Sequence, residues 1–269
     1  MTIELDPDGI NELRMCRNGP MLYNRNDFYI GGSLRKYGEF SWYEQELFGQ
    51  ILRPGATVIE AGANIGAHTV ALAQLVGPTG AVFAFEPQRL VFQVLCANLA
   101  LNQCTNVWAY PDALGAEPGS VLVPYYDPTK LANFGAVALG SCELGEPARV
   151  ATIDALDLPD CRLLKADVEG MEADVLRGAK QTIARCRPVL YVENDRDEES
   201  RDLIELIMDM RYDLYWHIPP LFNPDNFAGD AEDIFPEIVS VNMVCFPAEA
   251  AANASGMRRI ESASDRWKP

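Results

Sequence analysis

The sequence predicts a doubly wound α/β domain built on a mostly parallel, seven-stranded sheet, on three observations. Short, continuous apolar runs alternate with helix-patterned stretches from Thr57 to Val244, the pattern of parallel strands covered on both faces. A glycine-bearing turn, Gly62-Ala63-Asn64-Ile65-Gly66, follows the first run. Acidic residues close the successive runs: Glu60, Glu86, Asp112, Asp167 and Glu193. In open α/β sheets, ligands bind beyond the carboxyl ends of the strands, where these residues fall.

Residues 1–52 read as a lead-in packed on the core. Leu13-Arg14-Met15 and Met21-Leu22-Tyr23 flank Asn18-Gly19, a hairpin-turn signal. Phe40 to Leu52 follows as a helix with Trp42, Leu47, Phe48 and Ile51 on one face, ended by Pro54-Gly55. The core, 53–247, begins with strand 57–61, helix 67–76, strand 81–85, helix 88–101 and strand 106–110. Two small insert strands are expected near 121–123 and 150–152. The alternation resumes with strand 162–167, helix 171–185, strand 188–193, helix 198–210 and closing strands at 212–216 and 238–244. The Ala/Ser-rich stretch 248–269 has no period and reads as a flexible tail.

Twenty-two Lys and Arg against 39 Asp and Glu give a formal charge of −17. Such a surface repels phosphate backbones and anionic bilayers, so neither a nucleic-acid partner nor stable membrane insertion is expected. The uncharged run from Ala61 to Phe85 is broken by Gly77-Pro78-Thr79-Gly80, and so reads as two buried elements rather than a span. Seven scattered cysteines with no CxxC spacing fit reduced thiols and a cytoplasmic location. With only His68 and His217 present, a three-histidine metal site is impossible, and neither GxSxG nor HExxH occurs.

The turn after the first strand lets backbone and helix amides approach a ligand. It is a poor dinucleotide fingerprint, because Asn64 stands where the second glycine of GxGxxG would be. Glu60, just before it, would repel a pyrophosphate and suit an ammonium or sulfonium. Glu86 with Pro87 ends the second strand, where a carboxylate accepts two ribose hydroxyls. Asp112-Ala113 ends the third and reaches toward an adenine edge. Together these features favour S-adenosylmethionine, with Glu60, Ala61, Gly62, Asn64, Gly66, Glu86, Pro87, Asp112, Ala113 and Asp167 as its candidate contacts. A nicotinamide-dependent oxidoreductase and a non-catalytic protein that binds S-adenosylmethionine are the alternatives.

Lys165-Ala166-Asp167-Val168-Glu169-Gly170-Met171-Glu172, followed by Val175-Leu176-Arg177-Gly178-Ala179 and Arg187-Pro188, resembles the FkbM family of S-adenosylmethionine-dependent methyltransferases. The Gly62/Asn64/Gly66 block, Phe85-Glu86-Pro87 and Tyr37-Gly38-Glu39 look like the same family, so the resemblance covers about Tyr29 to Pro247. It implies a Rossmann-like, class I methyltransferase fold for 53–247. It also implies O-methylation of a hydroxyl on a sugar, glycoconjugate or secondary metabolite, a small-molecule or glycan acceptor. Glu60 departs from the family, which often has Asp there, but keeps the charge.

Methyl transfer to an alcohol needs donor and acceptor held close, in line and dry, and a base or metal for the weak nucleophile. Asp167, Glu193 and His217 are the catalytic candidates, His217 being either a base or a packed histidine. Asp167, Glu193 and Asn194 either bind Mg²⁺ or orient substrate; the metal is not the favoured reading. Lys165, inside an apolar strand, reads as a buried ion-pair partner, with Glu193 as its candidate mate. Glu169 is either a substrate contact or a helix-dipole partner, and Glu172 reads as the latter. Tyr37, Glu39, Asn194, Asn223, Asn226 and Asn242 complete the candidate substrate contacts, the last three being equally explicable as turn residues. The stretch from Asp225 to Glu237 carries five acids and no base, which suits a lid over a cationic or polyhydroxyl acceptor.

Overall fold

The computed structural model describes residues 8–135, 143–250 and 254–268. Its first element is the expected hairpin, β1 (Asn11–Cys16) and β2 (Gly19–Asn24). Cys16 faces Gly19, so Arg17-Asn18 makes the turn, one residue earlier than the Asn-Gly signal suggests. Two helices follow. The second, α2 (Trp42–Ile51), is the expected one. The first, α1 (Ile30–Tyr37), is not visible in the pattern, because Gly31-Gly32 depresses local helix propensity and packing on β2 decides instead.

The doubly wound arrangement is borne out. β3 (Thr57–Ala61), α3 (Ala67–Val76), β4 (Ala81–Phe85), α4 (Arg89–Leu101) and β5 (Val107–Tyr110) form the first half. A three-stranded insert follows, in which β6 (Ala113–Leu114), β7 (Gly119–Pro124) and β8 (Gly145–Ala151) lie in the order β6-β8-β7. The second half comprises β9 (Leu163–Ala166), α5 (Glu172–Arg177), α6 (Lys180–Cys186), β10 (Val189–Glu193), α7 (Asp197–Asp209), β11 (Tyr212–His217) and β12 (Asn242–Pro247). The main sheet runs β13-β11-β12-β10-β9-β3-β4-β5, where β13 (Arg258–Arg259) adds an eighth, edge strand to the predicted seven. β3, β4, β5, β9 and β10 are parallel, and β12 lies antiparallel between β10 and β11. Adjacent residues in the central strands, such as Val58 and Ile59 or Leu163 and Leu164, are wholly buried. That double burial makes these strands read as unbroken apolar runs.

Three departures have local causes. The helix expected over 171–185 is two, because the Asp154 carboxylate accepts the Gln181 and Thr182 amides (2.9 and 2.8 Å) and starts α6 afresh. The strand expected at 238–244 begins only at Asn242. Ile238–Val241 instead run beside residues 219–221, with Leu221 N donating to Ile238 O and Ser240 N to Pro219 O. The sequence predicts a loose tail, yet its described part packs on β11: β13 pairs there, Ile260 is buried, and Trp216 Nε1 donates to Asp265 at 3.1 Å.

Asn98 fastens the lead-in to the core. Its side chain, fully buried on α4, donates to Leu22 O (2.9 Å) and Ile65 O (2.7 Å) and accepts from Leu22 N (2.6 Å). Asn98→Ala strands three buried backbone groups and is expected to cost about 3 kcal/mol in urea unfolding.

Among the described residues no helix is long and apolar enough to cross a membrane. The six described cysteines are free thiols, and Cys142 lies outside the described residues.

Candidate active site

The loops after β3, β4, β9 and β10 enclose a crevice of about 600 Å³. Its first wall is the turn after β3. Gly62 has φ 79°, and a Cβ there would lie 1.8 Å from the Asp167 carbonyl oxygen. Asn64 also takes a left-handed φ of 48°, and its Oδ1 accepts the Ile65 amide at 2.7 Å. Asparagine tolerates this conformation better than most residues.

Glu86 ties that turn to the next strand. One carboxylate oxygen accepts the Asn64 amide (3.0 Å) and the other the Gln88 amide (2.8 Å). Burial pushes its carboxyl up to about 7, against the pull of those two amides. A carboxylate has roughly four lone-pair sites, so acceptor capacity remains toward the crevice. Glu60 lies in the wall below. Its Oε2 accepts the Thr69 hydroxyl (2.7 Å), Oε1 has no partner, and burial raises it to about 7 despite nearby Lys165.

The floor is a charge cluster in which Lys165 is buried and the Asp167 side chain is partly open to the crevice. Lys165 pairs opposite Glu60 across the β3–β9 register, and its Nζ is 3.0 Å from Asp167 Oδ2. Its partner is thus Asp167 and not Glu193. Burial works to strip its proton, but Asp167, Glu60 and Glu44 outweigh it and hold Lys165 above its ordinary value. Burial likewise works to raise Asp167, and the Lys165 ammonium overrides it, so this carboxyl stays ionised. Glu193, beside it, is driven far up by burial and by the Asp167 charge. Lys165 on one side and burial on the other thus drive the proton affinities of the two carboxyls apart, Asp167 down and Glu193 up.

Residue by residue, the crevice gathers Glu60, Gly62, Asn64, Glu86, Pro87, Asp167, Glu169, Glu193 and Asn242 from the sequence candidates. Ala61 and Gly66 frame the turn from behind: Ala61 O accepts the Asp167 amide, and Gly66 caps α3. The remaining candidates point elsewhere. Asp112 is clamped by the Arg149 guanidinium, and Ala113 pairs with Val150 in the insert sheet. Asn194 turns its amide to the Met243 sulfur at 3.2 Å, so Asp167, Glu193 and Asn194 do not converge. Among the described residues no group of three His, Cys, Asp or Glu side chains is arranged to hold a metal ion.

His217 lies off the crevice, in a recess with Pro219 and Met257, its Nδ1 2.9 Å from the Tyr191 hydroxyl; burial lowers it. Tyr37 OH donates to Glu232 O and accepts from Ile234 N. Glu39 accepts from Arg17, Asn223 and the Phe227 amide at 2.6–2.8 Å. Asn226 bonds Asn223 O, Asp230 O and Asp230 N. These four residues spend their polar groups pinning the 222–234 loop. Glu172 accepts the Val168 and Gly170 amides (2.9 and 3.1 Å), the helix-start role read for it.

Sequence reasoning missed Glu44 and Trp267 as crevice residues, while His68, read from its place at the start of α3 as a cofactor-side or structural residue, does line the crevice. A signal existed for Glu44, an acid four residues before Phe48 on the buried face of α2. The His68 ring is buried against Phe40 and Phe48, and burial plus the Lys165 charge push it down to about 3, so it is neutral. No local signal marks Trp267.

These shifts set a pH dependence. Glu60, Glu86 and Glu169 titrate near 7 in the fold against an ordinary 4.5, so between those values the folded chain binds more protons than the unfolded one. Their contribution favours the acid end and is lost as pH rises through 7. His68 and His217, lowered in the fold, oppose this only below about 6.5. The unliganded protein is expected to melt higher at pH 6 than at pH 8 in a calorimetric scan.

Residues 60–214 match the family model described as Methyltransferase FkbM domain. Methyltransferase 1 of Beauveria bassiana (strain ARSEF 2860) is 29% identical over 143 residues, 45% of this chain and 57% of the fungal protein. Among solved structures, Methyltransferase FkbM from Methylobacillus flagellatus KT covers 76% of this chain and 51% of its own, with a TM-score of 0.49 and 18% identity. Aeropyrum pernix fibrillarin in complex with natively bound S-adenosyl-L-methionine covers 90% and 96%, with a TM-score of 0.46 and 13% identity. The family match runs from the Glu60 carboxylate through the glycine turn and the Asp167 cluster to β11, and the chain belongs to the FkbM-domain family of S-adenosylmethionine-dependent methyltransferases.

Proposed function

We propose that the protein transfers the methyl group of S-adenosylmethionine to a hydroxyl of a sugar, glycoconjugate or secondary metabolite. The observation that carries this reading is the carboxyl pair Asp167–Glu193 lining the crevice, with Lys165 Nζ 3.0 Å from Asp167 holding that carboxyl low while burial drives Glu193 up. When bound, S-adenosylmethionine supplies an electrophilic sulfonium methyl. Glu86 has lone pairs for the ribose hydroxyls, and the unpartnered Gln88 Oε1 and Glu60 Oε1 are acceptors for the donors of the same ligand. Asp167 accepts the proton of the acceptor hydroxyl as its oxygen gains the methyl, leaving both carboxyls protonated. Net charge is conserved, since the cation consumed matches the anion neutralised. Closely set carboxyls with separated proton affinities suit such a base.

The reading is tested by titrating the protein with S-adenosylhomocysteine and by incubating it with isotopically labelled S-adenosylmethionine and polyhydroxyl acceptors. Mass spectrometry is expected to show label in an ether. Label carried only on nitrogen or carbon would overturn the hydroxyl assignment. Failure to bind S-adenosylhomocysteine would overturn the cofactor contacts.

A further inference from the structure

Two independent features of the crevice point to the charge of the acceptor. The first is the set of unpartnered atoms. Among the described residues, the buried side-chain polar atoms that line the crevice without a hydrogen-bond partner are Glu60 Oε1, Gln88 Oε1, His68 Nε2 and Glu193 Oε2. Glu60, Gln88 and His68 are each more than nine-tenths buried. The two carboxyl oxygens and the amide oxygen are acceptors. The neutral His68 ring is bonded to the Ser41 backbone, which fixes its other nitrogen as the N–H, so Nε2 is an acceptor too. A buried acceptor left without a donor loses its hydration with nothing in return. The ligands of this crevice must therefore bring N–H and O–H groups.

The second feature is the imbalance of charge where an acceptor enters. Glu60 and Glu86 belong to the end that fits the nucleoside. Beyond these, Glu44, Glu169, Glu193, Asp195 and Glu237 line the crevice together with Asp167, and the Asp167 charge acts directly on Glu44, Glu169 and Glu193. Lys165 is engaged by Asp167, and Arg196 by Glu169 at 2.8 Å. Arg266 and Lys268 line a neighbouring recess with Asp195, behind Trp267. Glu44, Glu193 and Glu237 have no basic partner within an ion-pair distance among the described residues, apart from the neutral His68 3.9 Å from Glu44. Burial, then crowding by Asp167, drives Glu169 up to about 7. A cation entering there lets such groups ionise. Trp267 lines the same crevice with the Lys268 ammonium 4.4 Å from its ring centroid, so the ring offers a wall for a sugar face rather than a site for the incoming cation.

We infer that the acceptor is an amine-bearing polyol, an amino sugar or aminocyclitol in its ammonium form, and that phosphorylated, nucleotide-linked and uronic acceptors are rejected. This rests on the reading of the crevice as the site of hydroxyl methylation. The ammonium meets Glu237 and Glu169, while the ring hydroxyls satisfy His68 Nε2 and Glu193 Oε2 and deliver one oxygen to Asp167.

The test uses three probes on one ring, glucosamine, glucose and glucuronate, titrated by calorimetry into the protein saturated with S-adenosylhomocysteine. Glucosamine is expected to bind about tenfold tighter than glucose at low salt, the scale of one charge-assisted hydrogen bond. Glucuronate is expected to bind weaker than both, and the preference to shrink as salt is added. At a pH low enough that the free amine is already ammonium, binding of glucosamine is expected to release protons from the carboxyls it lets ionise, read as a dependence of the heat on buffer ionisation enthalpy. Glu237→Gln should reduce the preference for glucosamine over glucose while S-adenosylhomocysteine affinity stays unchanged. Equal binding of the three probes, tighter binding of glucuronate, or no glucosamine binding near its solubility limit overturns the inference. Methylation of neutral polyols without amine preference would leave the proposed reaction standing and remove only this inference. Preferential glucosamine binding without transfer to any hydroxyl would overturn the proposed reaction and this inference with it.

Discussion

Replacing Gly62 by alanine is expected to abolish S-adenosylhomocysteine binding and to cost the fold at least about 3 kcal/mol. The added methyl would sit 1.8 Å from the Asp167 carbonyl oxygen, on a backbone with φ 79°. Neither contact relieves itself by a rotamer change, since both atoms belong to main chain. The turn must lift away from β9, which displaces the Asn64 amide from Glu86 and the Asp167 amide from Ala61. Gly55→Ala is the control. Its φ of 88° is equally left-handed, but the nearest atom is the Thr79 hydroxyl at 3.6 Å. It should lose about 1 kcal/mol and keep full ligand affinity. Urea midpoints and calorimetric titration of both variants separate backbone strain from the collision. A Gly62→Ala protein with parental affinity would contradict the close crossing of the two loops.

Asp167→Asn is expected to slow methyl transfer by about a thousandfold with S-adenosylhomocysteine affinity altered only a few-fold. The amide keeps the shape and loses the negative charge that receives the acceptor proton. Lys165→Met gives a second, distinguishable result. Without the ammonium 3.0 Å away, the Asp167 carboxyl binds its proton more tightly. The acid limb of the pH–rate profile then moves to higher pH, whereas Asp167→Asn lowers the rate at every pH. A Lys165→Met enzyme with an unmoved profile would show that the ammonium does not set the basicity of the pair.

The legible parts of this protein are those governed by local pattern. Thr57–Ala61 and Ala81–Phe85 are read to the residue, because strands buried on both faces leave unbroken apolar runs and Pro54-Gly55 and Gly77–Gly80 punctuate them. The glycine turn and the strand-end acids follow from that framework. α1 is illegible because its two glycines argue against a helix that tertiary packing nevertheless forms. Ile238–Val241 look like strand because they are apolar, and they are apolar because they wall the crevice. Asn223, Asn226 and Glu39 show a different limit. A loop amide that holds a ligand and one that holds its own loop have the same sequence signature, and only the position of the partner tells them apart. His68 and Trp267 lie far apart in sequence and meet the same crevice only in three dimensions.

The insertion of β12 between β10 and β11 has a consequence for synthesis on the ribosome. Residues 242–247 must emerge before Val189–Glu193 acquire their second neighbour. Until then the nascent chain presents an apolar, unzipped flank, the kind of surface that recruits chaperones or seeds inclusion bodies. Slower translation through the codons for residues 194–247, or lower growth temperature, should therefore change soluble yield far more than the same treatment applied to the codons for residues 57–110.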